Sequence, residues 1–148
     1  MITFTLPLPP SVNECWFNLP KGRARTKKYN HWINDAWGYW LTQGKPKIPP
    51  GNYELEIAVP ETMRGDASNR IKPVEDFLVK VGATSDDNLN WKPSAPREAG
   101  IRDGFCEVRI KTLEVATGRE EYEEGLRAIR ERVASGGDGW KLKERDAS

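Results

Sequence analysis

One change of hydrophobic period, from a strand's to a helix's, constrains this fold more than any other feature. Tyr53, Leu55, Ile57 and Val59 alternate with Glu54, Glu56 and Ala58, the period of a half-buried strand. Pro60 ends the run. After a loop over Glu61–Gly65, Ile71, Val74, Leu78 and Val81 recur at helical spacing, so Asn69 to Val81 reads as a helix or a turn leading into one. Gly82 stands where a C′ glycine ends a helix. Pro73 disfavours the α conformation at Lys72, which leaves two starts open: a helix from Asn69, or a structured turn over Asp66–Lys72 with the helix beginning at Pro73. Either way the loop delivers Asp66 at the exit of a strand, where a rigid base can project chemistry into solvent.

Asp66 lies before this helix, and Asp86-Asp87 lie beyond its far end. A helix of about a dozen residues is roughly 18 Å long, so the carboxylates meet only if the chain turns back after Gly82. Brought together beside Lys72 they repel one another unless a cation lies between them. Mg²⁺ takes oxygen ligands from one or two carboxylates plus a substrate phosphate, so the stretch reads as a hard-metal site for phosphodiester chemistry. The same residues also read as ordinary structure. Asp66 and Ser68 are good N-cap residues, and Ser85-Asp86-Asp87-Asn88 is a common polar turn.

Elsewhere, Ile2, Phe4 and Leu6 alternate with threonines, which predicts a strand over residues 2–6 that ends at Pro7. Ser11 to Lys28 reads as a long loop. Asn30 is the expected cap of a helix reaching Gln43, with Trp32, Ile33, Ala36, Trp37 and Trp40 on one broad face, a pattern of core packing rather than base stacking. Gly44–Gly51 is a turn or linker. Leu89–Trp91 reads as the start of a strand, Pro93–Gly104 as a loop, and Phe105–Leu113 as a strand with Cys106, Val108 and Ile110 on one side. Thr117 and Glu120 form an expected capping box for a last helix, whose stripe is Tyr122, Leu126, Ile129 and Val133. Ser135-Gly136-Gly137 should end it, and the polar tail from Asp138 is expected to be poorly ordered. The organisation read from this is a folded domain over 1–115 and a helix with a tail over 116–148.

The length of 148 residues suits one domain with a modest core. No apolar run approaches the roughly 20 residues of a membrane span. Cys15 and Cys106 fit no metal spacing and read as free thiols of a cytoplasmic protein. His31 is the single histidine, which excludes a multi-histidine metal site. The net charge of +1 points to no partner, but its distribution does. Lys21, Arg23, Arg25, Lys27 and Lys28 crowd a stretch without acids, and Arg64, Arg70, Lys72 and Lys80 flank the carboxylates. The first cluster reads equally as a solvated loop or as a contact for nucleic-acid phosphates.

With these residues in hand, the chain resembles the RusA family of Holliday junction resolvases, which is common in phages and prophages. The opening strand into Leu8-Pro9-Pro10-Ser11-Val12-Asn13 is like the family's proline-proline-serine-x-asparagine start. Gly22-Arg23 stands for its basic loop before a helix. The family's D-x-D-N-x-x-K, followed by a helix, a glycine and a D-D pair, is similar to Asp66-Ala67-Ser68-Asn69-Arg70-Ile71-Lys72, then Asp76, Gly82 and Asp86-Asp87. The likeness runs from residue 2 to about residue 113.

The resemblance implies an α+β fold, a small mixed sheet with helices packed on it, here with a C-terminal helical extension. It implies a homodimer that cuts paired strands at a four-way DNA junction, using Mg²⁺ with Mn²⁺ as an alternative. Carried over by position, Asp66 and Asp87 are the metal-binding carboxylates, Lys72 is the essential lysine, and Asn69 is the motif asparagine. Asp86 and Ser68 are further candidate metal contacts. Lys21, Arg23, Arg25, Lys27, Lys28, Asn69 and Arg70 are candidate DNA contacts. One departure matters: the second motif aspartate is Ser68 here, and a hydroxyl cannot supply the missing charge. The same resemblance therefore admits a branched-DNA-binding protein with weakened or absent cleavage.

Overall fold

A computed structural model describes residues 1–113 and 115–134, with 115–121 described by backbone alone. The chain divides into two compact units, Met1–Leu113 and Glu114–Ser148. The first is an α+β unit. Its elements in order are β1 (Ile2–Pro7), α1 (Val12–Cys15), β2 (Trp16–Asn18), β3 (Arg23–Arg25), α2 (Lys27–Thr42), β4 (Tyr53–Pro60), α3 (Ile71–Lys80), β5 (Arg97–Glu98) and β6 (Phe105–Thr112). Short 3₁₀ turns over Ala67–Arg70 and Asp87–Leu89 flank α3.

The sheet follows from the alternating patterns. Its order is β1-β6-β4-β5, antiparallel across the first three strands and parallel between β4 and β5. Val108 lies opposite both Phe4 and Ile57, so the inward residues of three strands line up on one face. That face carries Leu6, Leu55, Ile57, Val108 and Ile110, all buried, and they join the residues of α2 and α3 in one core. Burying each such side chain is worth about 1.5–3 kcal/mol. Trp32 of α2 meets Phe77 of α3 edge-on at 5.6 Å and donates its indole N–H to the Pro7 carbonyl at 2.9 Å, tying both helices to the end of β1. The outer sheet face is charged, with Arg109 bonded to Glu56, Glu98 and Glu107.

Several expectations need correction. Ser11–Lys28 is not a long loop: α1 and a hairpin of β2 and β3 occupy most of it. The helix expected from Asn30 begins at Lys27, because the Thr26 hydroxyl accepts from the Tyr29 N–H and caps it. On that helix Trp32, Ile33, Ala36 and Trp40 are buried, while Trp37 is exposed. Leu89–Trp91 makes only a bridge, Asn90 to Tyr53, rather than a strand. The loop Pro93–Gly104 contains β5, whose pairing with β4 is made by backbone groups and leaves no periodic trace in two residues. Cys15 and Cys106 are free, as expected, and both are buried.

In the second unit, α4 spans Val115–Ala134. Thr117 therefore lies inside the helix and cannot be its N-cap. Tyr122, Ile129 and Val133 are exposed. The expected stop at Ser135-Gly136-Gly137 and the tail from Asp138 lie outside the described residues. Among the described residues no helix is long and apolar enough to cross a membrane.

Candidate active site

The strand-to-helix passage builds the site. β4 ends at Pro60, and Gly65 takes a positive φ of 88°, which turns the chain so that Asp66 opens the 3₁₀ turn. Both hydrogen bonds to Asp66 reach Oδ1: the Ser68 N–H at 2.9 Å and the Ser68 hydroxyl at 2.7 Å. These bonds, with Arg97 nearby, hold the Asp66 carboxyl below its ordinary pKa. Arg97 itself donates to the carbonyls of Met63 and Gly65, so β5 clamps the loop that carries Asp66.

The α-helix starts at Ile71 rather than at Pro73 or Asn69. Pro73 is its third residue, where the N–H has no helical partner to lose. The helix ends as its glycine predicts. Gly82, at φ 77°, donates to Val79 at 3.0 Å, and Ala83 donates to Leu78 at 2.9 Å, the two bonds of a Schellman cap. Ala83 then binds back through its carbonyl to the Ile48 N–H at 2.8 Å. The chain reverses, and residues 90–98 run beside β4, with Trp91 donating to Tyr53 and Ser94 to Leu55.

The reversal brings Asp87 back to Lys72, while Asp66 keeps its own partner, Ser68. The second 3₁₀ turn packs on α3, and Lys72, in the first turn of that helix, hydrogen-bonds Asp87. The Lys72 ammonium also lies 3.0 Å from Asp76, one helical turn on. The bond to Asp87 first, then Asp76, raises the Lys72 pKa against the opposing effect of burial. Asp87 is depressed in turn by Lys72 and then by a hydrogen bond with Asp86. Asp86 Oδ1 accepts the Asn88 N–H at 2.9 Å, so Asp86 also serves as the cap of its turn. Glu75, half-buried beside this group, accepts from Asn90 at 3.0 Å, and burial raises its pKa.

The structure thus gathers Lys72, Asp76, Asp86 and Asp87, and gives Asp66 a different set of partners, Ser68 and Arg97. Among the described residues no three His, Cys, Asp or Glu side chains assemble as a metal cage. Mg²⁺ does not require one: it keeps several waters and is held by one or two carboxylates together with substrate phosphate. Adjacent Asp86 and Asp87 have the right hard-oxygen chemistry for such an ion; Asp66 and the weaker hydroxyl donor Ser68 form a separate hydrogen-bonded pair. The chemistry of these residues is compatible with an ion completed by substrate, and they form no preformed centre among the described residues.

The Pro9-Pro10 segment and the Asp66–Lys72 segment touch. Arg70 donates to the Pro9 carbonyl at 2.6 Å, and α1 packs on both the first 3₁₀ turn and α3. Its Nε is buried without a hydrogen-bond partner among the described residues, so Arg70 is turned into the protein and is a poor phosphate contact. Asn69 is half-buried in the same turn. The basic cluster divides. Lys28 is paired with Glu14, whereas Lys21, Arg23, Arg25 and Lys27 are exposed. Arg23 lies over the Trp16 ring at 4.4 Å.

Asp76 and Glu75 were given no role by sequence reasoning. Asp76 carried a usable signal, its i,i+4 spacing from Lys72; Glu75 carried none. No family model matches the chain, and no curated protein matches it.

Proposed function

We propose that this protein is a structure-specific DNA endonuclease of the RusA type, a homodimer that hydrolyses phosphodiesters in paired strands of a four-way junction. The observation that carries the reading is the return of Asp87 to Lys72 across the length of α3, beside an exposed basic hairpin. It supports the reading because it brings the second acidic motif to the motif lysine, which capping of a polar turn alone does not require.

In this reading Lys72 is the cation that meets charge developing on the phosphate. Its raised pKa keeps it protonated at any physiological pH. Asp76 and Asp87 hold its ammonium in place until DNA arrives. Lys21, Arg23, Arg25 and Lys27 bind arm phosphates without reading sequence. By the resemblance Asp66, Asp86 and Asp87 would hold the divalent ion, drawn together only with substrate because they form no cage beforehand; when bound the ion would polarise the phosphate and activate water. In a homodimer each subunit serves one strand, and the apolar positions of α4 offer surface for a second copy.

A second reading is favoured by one observation: Ser68 replaces a carboxylate and occupies Asp66 Oδ1 twice. On this reading the protein binds branched DNA and cuts it weakly or not at all. Purified protein, a synthetic four-way junction and Mg²⁺ or Mn²⁺ separate the two. Asp66→Asn should abolish cutting and leave junction affinity near normal, and cutting at the wild-type rate would remove Asp66 from the site. Binding without nicking at either metal would leave the second reading. Affinity should fall steeply between low and moderate salt, since each neutralised phosphate releases counterions.

A further inference from the structure

Between the hairpin, α2 and α3 lies a cleft of about 310 Å³ that no sequence pattern announces. Its accessible apolar walls are Trp16 and Val79, over Tyr29 and Phe77 buried beneath. Arg25 and Lys80, both exposed, stand at its rim. Asp76 also lines it, and Asp76 Oδ1 is the atom that holds Lys72. The cleft therefore adjoins the residues placed at the scissile phosphate.

We propose that this cleft receives one unpaired nucleobase of the DNA strand, seated against Trp16 while Arg25 and Lys80 hold the phosphates on either side. The proposal rests on the nucleic-acid reading above and adds to it a base-binding site. Three features select this occupant. The wall is aromatic, and every base has a π-face to stack on it. The rim is cationic on both sides, which suits a backbone that carries a phosphate before and after each base. The volume lies at the lower end of the roughly 300–1,000 Å³ typical of ligand sites, which suits one base rather than a stacked run. Asp76 adds a hydrogen-bond acceptor, so a base with an exocyclic amino group has a partner that thymine lacks. The Trp16 ring is itself braced. Arg23 covers it at 4.4 Å, and Tyr29 meets it edge-on with centroids 5.7 Å apart.

The test uses the full chain and a four-way junction with 2-aminopurine at the branch point, without divalent metal. A second junction carries the probe in mid-arm. Wild-type protein should change the emission of the branch-point probe and not that of the mid-arm probe. Val79→Trp, at an exposed helix position, fills the cleft and should remove the change while leaving the rim cations in place. Trp16→Leu should remove it too, and should weaken binding to a short single strand by about ten- to a hundredfold. If Val79→Trp responds as wild type does, the cleft takes no base, although retained junction affinity would leave the DNA reading standing. If wild-type protein binds neither junction even at low salt, both readings fall together.

Discussion

Replacing Lys72 with methionine keeps the length of the side chain and removes its charge, which tests the assembly on which the site depends. The ammonium is 3.0 Å from Asp76 and hydrogen-bonded to Asp87. Opposite charges about 3.5 Å apart at an effective dielectric of about 20 attract by roughly 5 kcal/mol. That figure is far too large here, because the Lys72 side chain is 50% exposed. Exposed pairs are worth about 0.2–1 kcal/mol each once solvent and side-chain ordering are counted. Two pairs then give a loss of about 0.5–2 kcal/mol, or roughly 2–8 °C in Tm for a unit of this size. The sign with pH follows from the two shifts. Asp87 is depressed, so its contribution is present above the unfolded value of about 3.9 and is lost as pH falls through the folded one. Lys72 is raised, so its contribution is present below about 10.4 and is lost as pH rises through the folded value. The deficit of Lys72→Met should therefore be full at neutral pH and shrink as pH falls below the unfolded carboxylate value of about 3.9. Thermal melts followed by circular dichroism in chelator, with Asp87→Asn and the double variant, measure it. A Lys72→Met protein as stable as wild type at neutral pH, or equally deficient at both pH values, would refute the electrostatic account. With junction DNA and metal, the same variant should lose about 10²–10³ in cutting rate.

Ser68→Asp places a carboxylate beside Asp66, so Mg²⁺ should raise its melting temperature more than that of wild type and increase junction cutting. Equal response in the two proteins would show that Ser68 is not the missing ligand. Thr26→Ala removes the cap of α2 and the hydroxyl that donates to the Glu14 carbonyl at 2.7 Å, at a cost of about 1–2 kcal/mol read from urea midpoints. Cys15 and Cys106 are buried, and burial pushes their thiols up to about 11 and about 12. Neither should react with a thiol reagent in the native protein, both should react in denaturant, and prompt native labelling would contradict the packing.

Long elements were legible because their patterns repeat. Alternation located β1, β4 and β6, and Gly82 marked the end of α3 by the one conformation its position needs. Three-residue strands carry too little period to read, which hid the hairpin of Trp16–Asn18 and Arg23–Arg25. β5 was hidden because it joins the sheet through backbone bonds that any residue can make. Within the site, a return of Asp86-Asp87 was legible only as a condition on the chain after Gly82, and the structure meets it at Lys72 rather than at Asp66. Its fulfilment depends on the Ala83–Ile48 bond and on the run beside β4, which no local pattern announces. The inward turn of Arg70 was not legible at all, since an arginine before a helix looks the same whether it meets a phosphate or the Pro9 carbonyl.

The net charge of +1 conceals a partition that bears on how a polyanion can approach. On the outer sheet face Glu54, Glu56, Glu98 and Glu107 outnumber Arg109 and Lys111, and three of those glutamates are bonded to Arg109 itself. The hairpin and the start of α2 present Lys21, Arg23, Arg25 and Lys27, with Lys28 neutralised by Glu14. Fields of this kind act within about 8 Å at physiological salt, so what counts is the charge that a strand meets at contact and not the sum over the chain. A duplex arm laid on the sheet face would meet repulsion along its length. The same arm beside the hairpin meets free cations that lead toward Lys80 and Lys72. Lys27, in the first turn of α2, is set against the helix dipole at a cost of about 0.3–1 kcal/mol, and no first-turn acid of that helix offsets it. On the proposed reading that cost is offset when Lys27 meets a phosphate, so Lys27→Glu should stabilise the free protein slightly and weaken junction binding, and unchanged affinity would take Lys27 out of the contact surface.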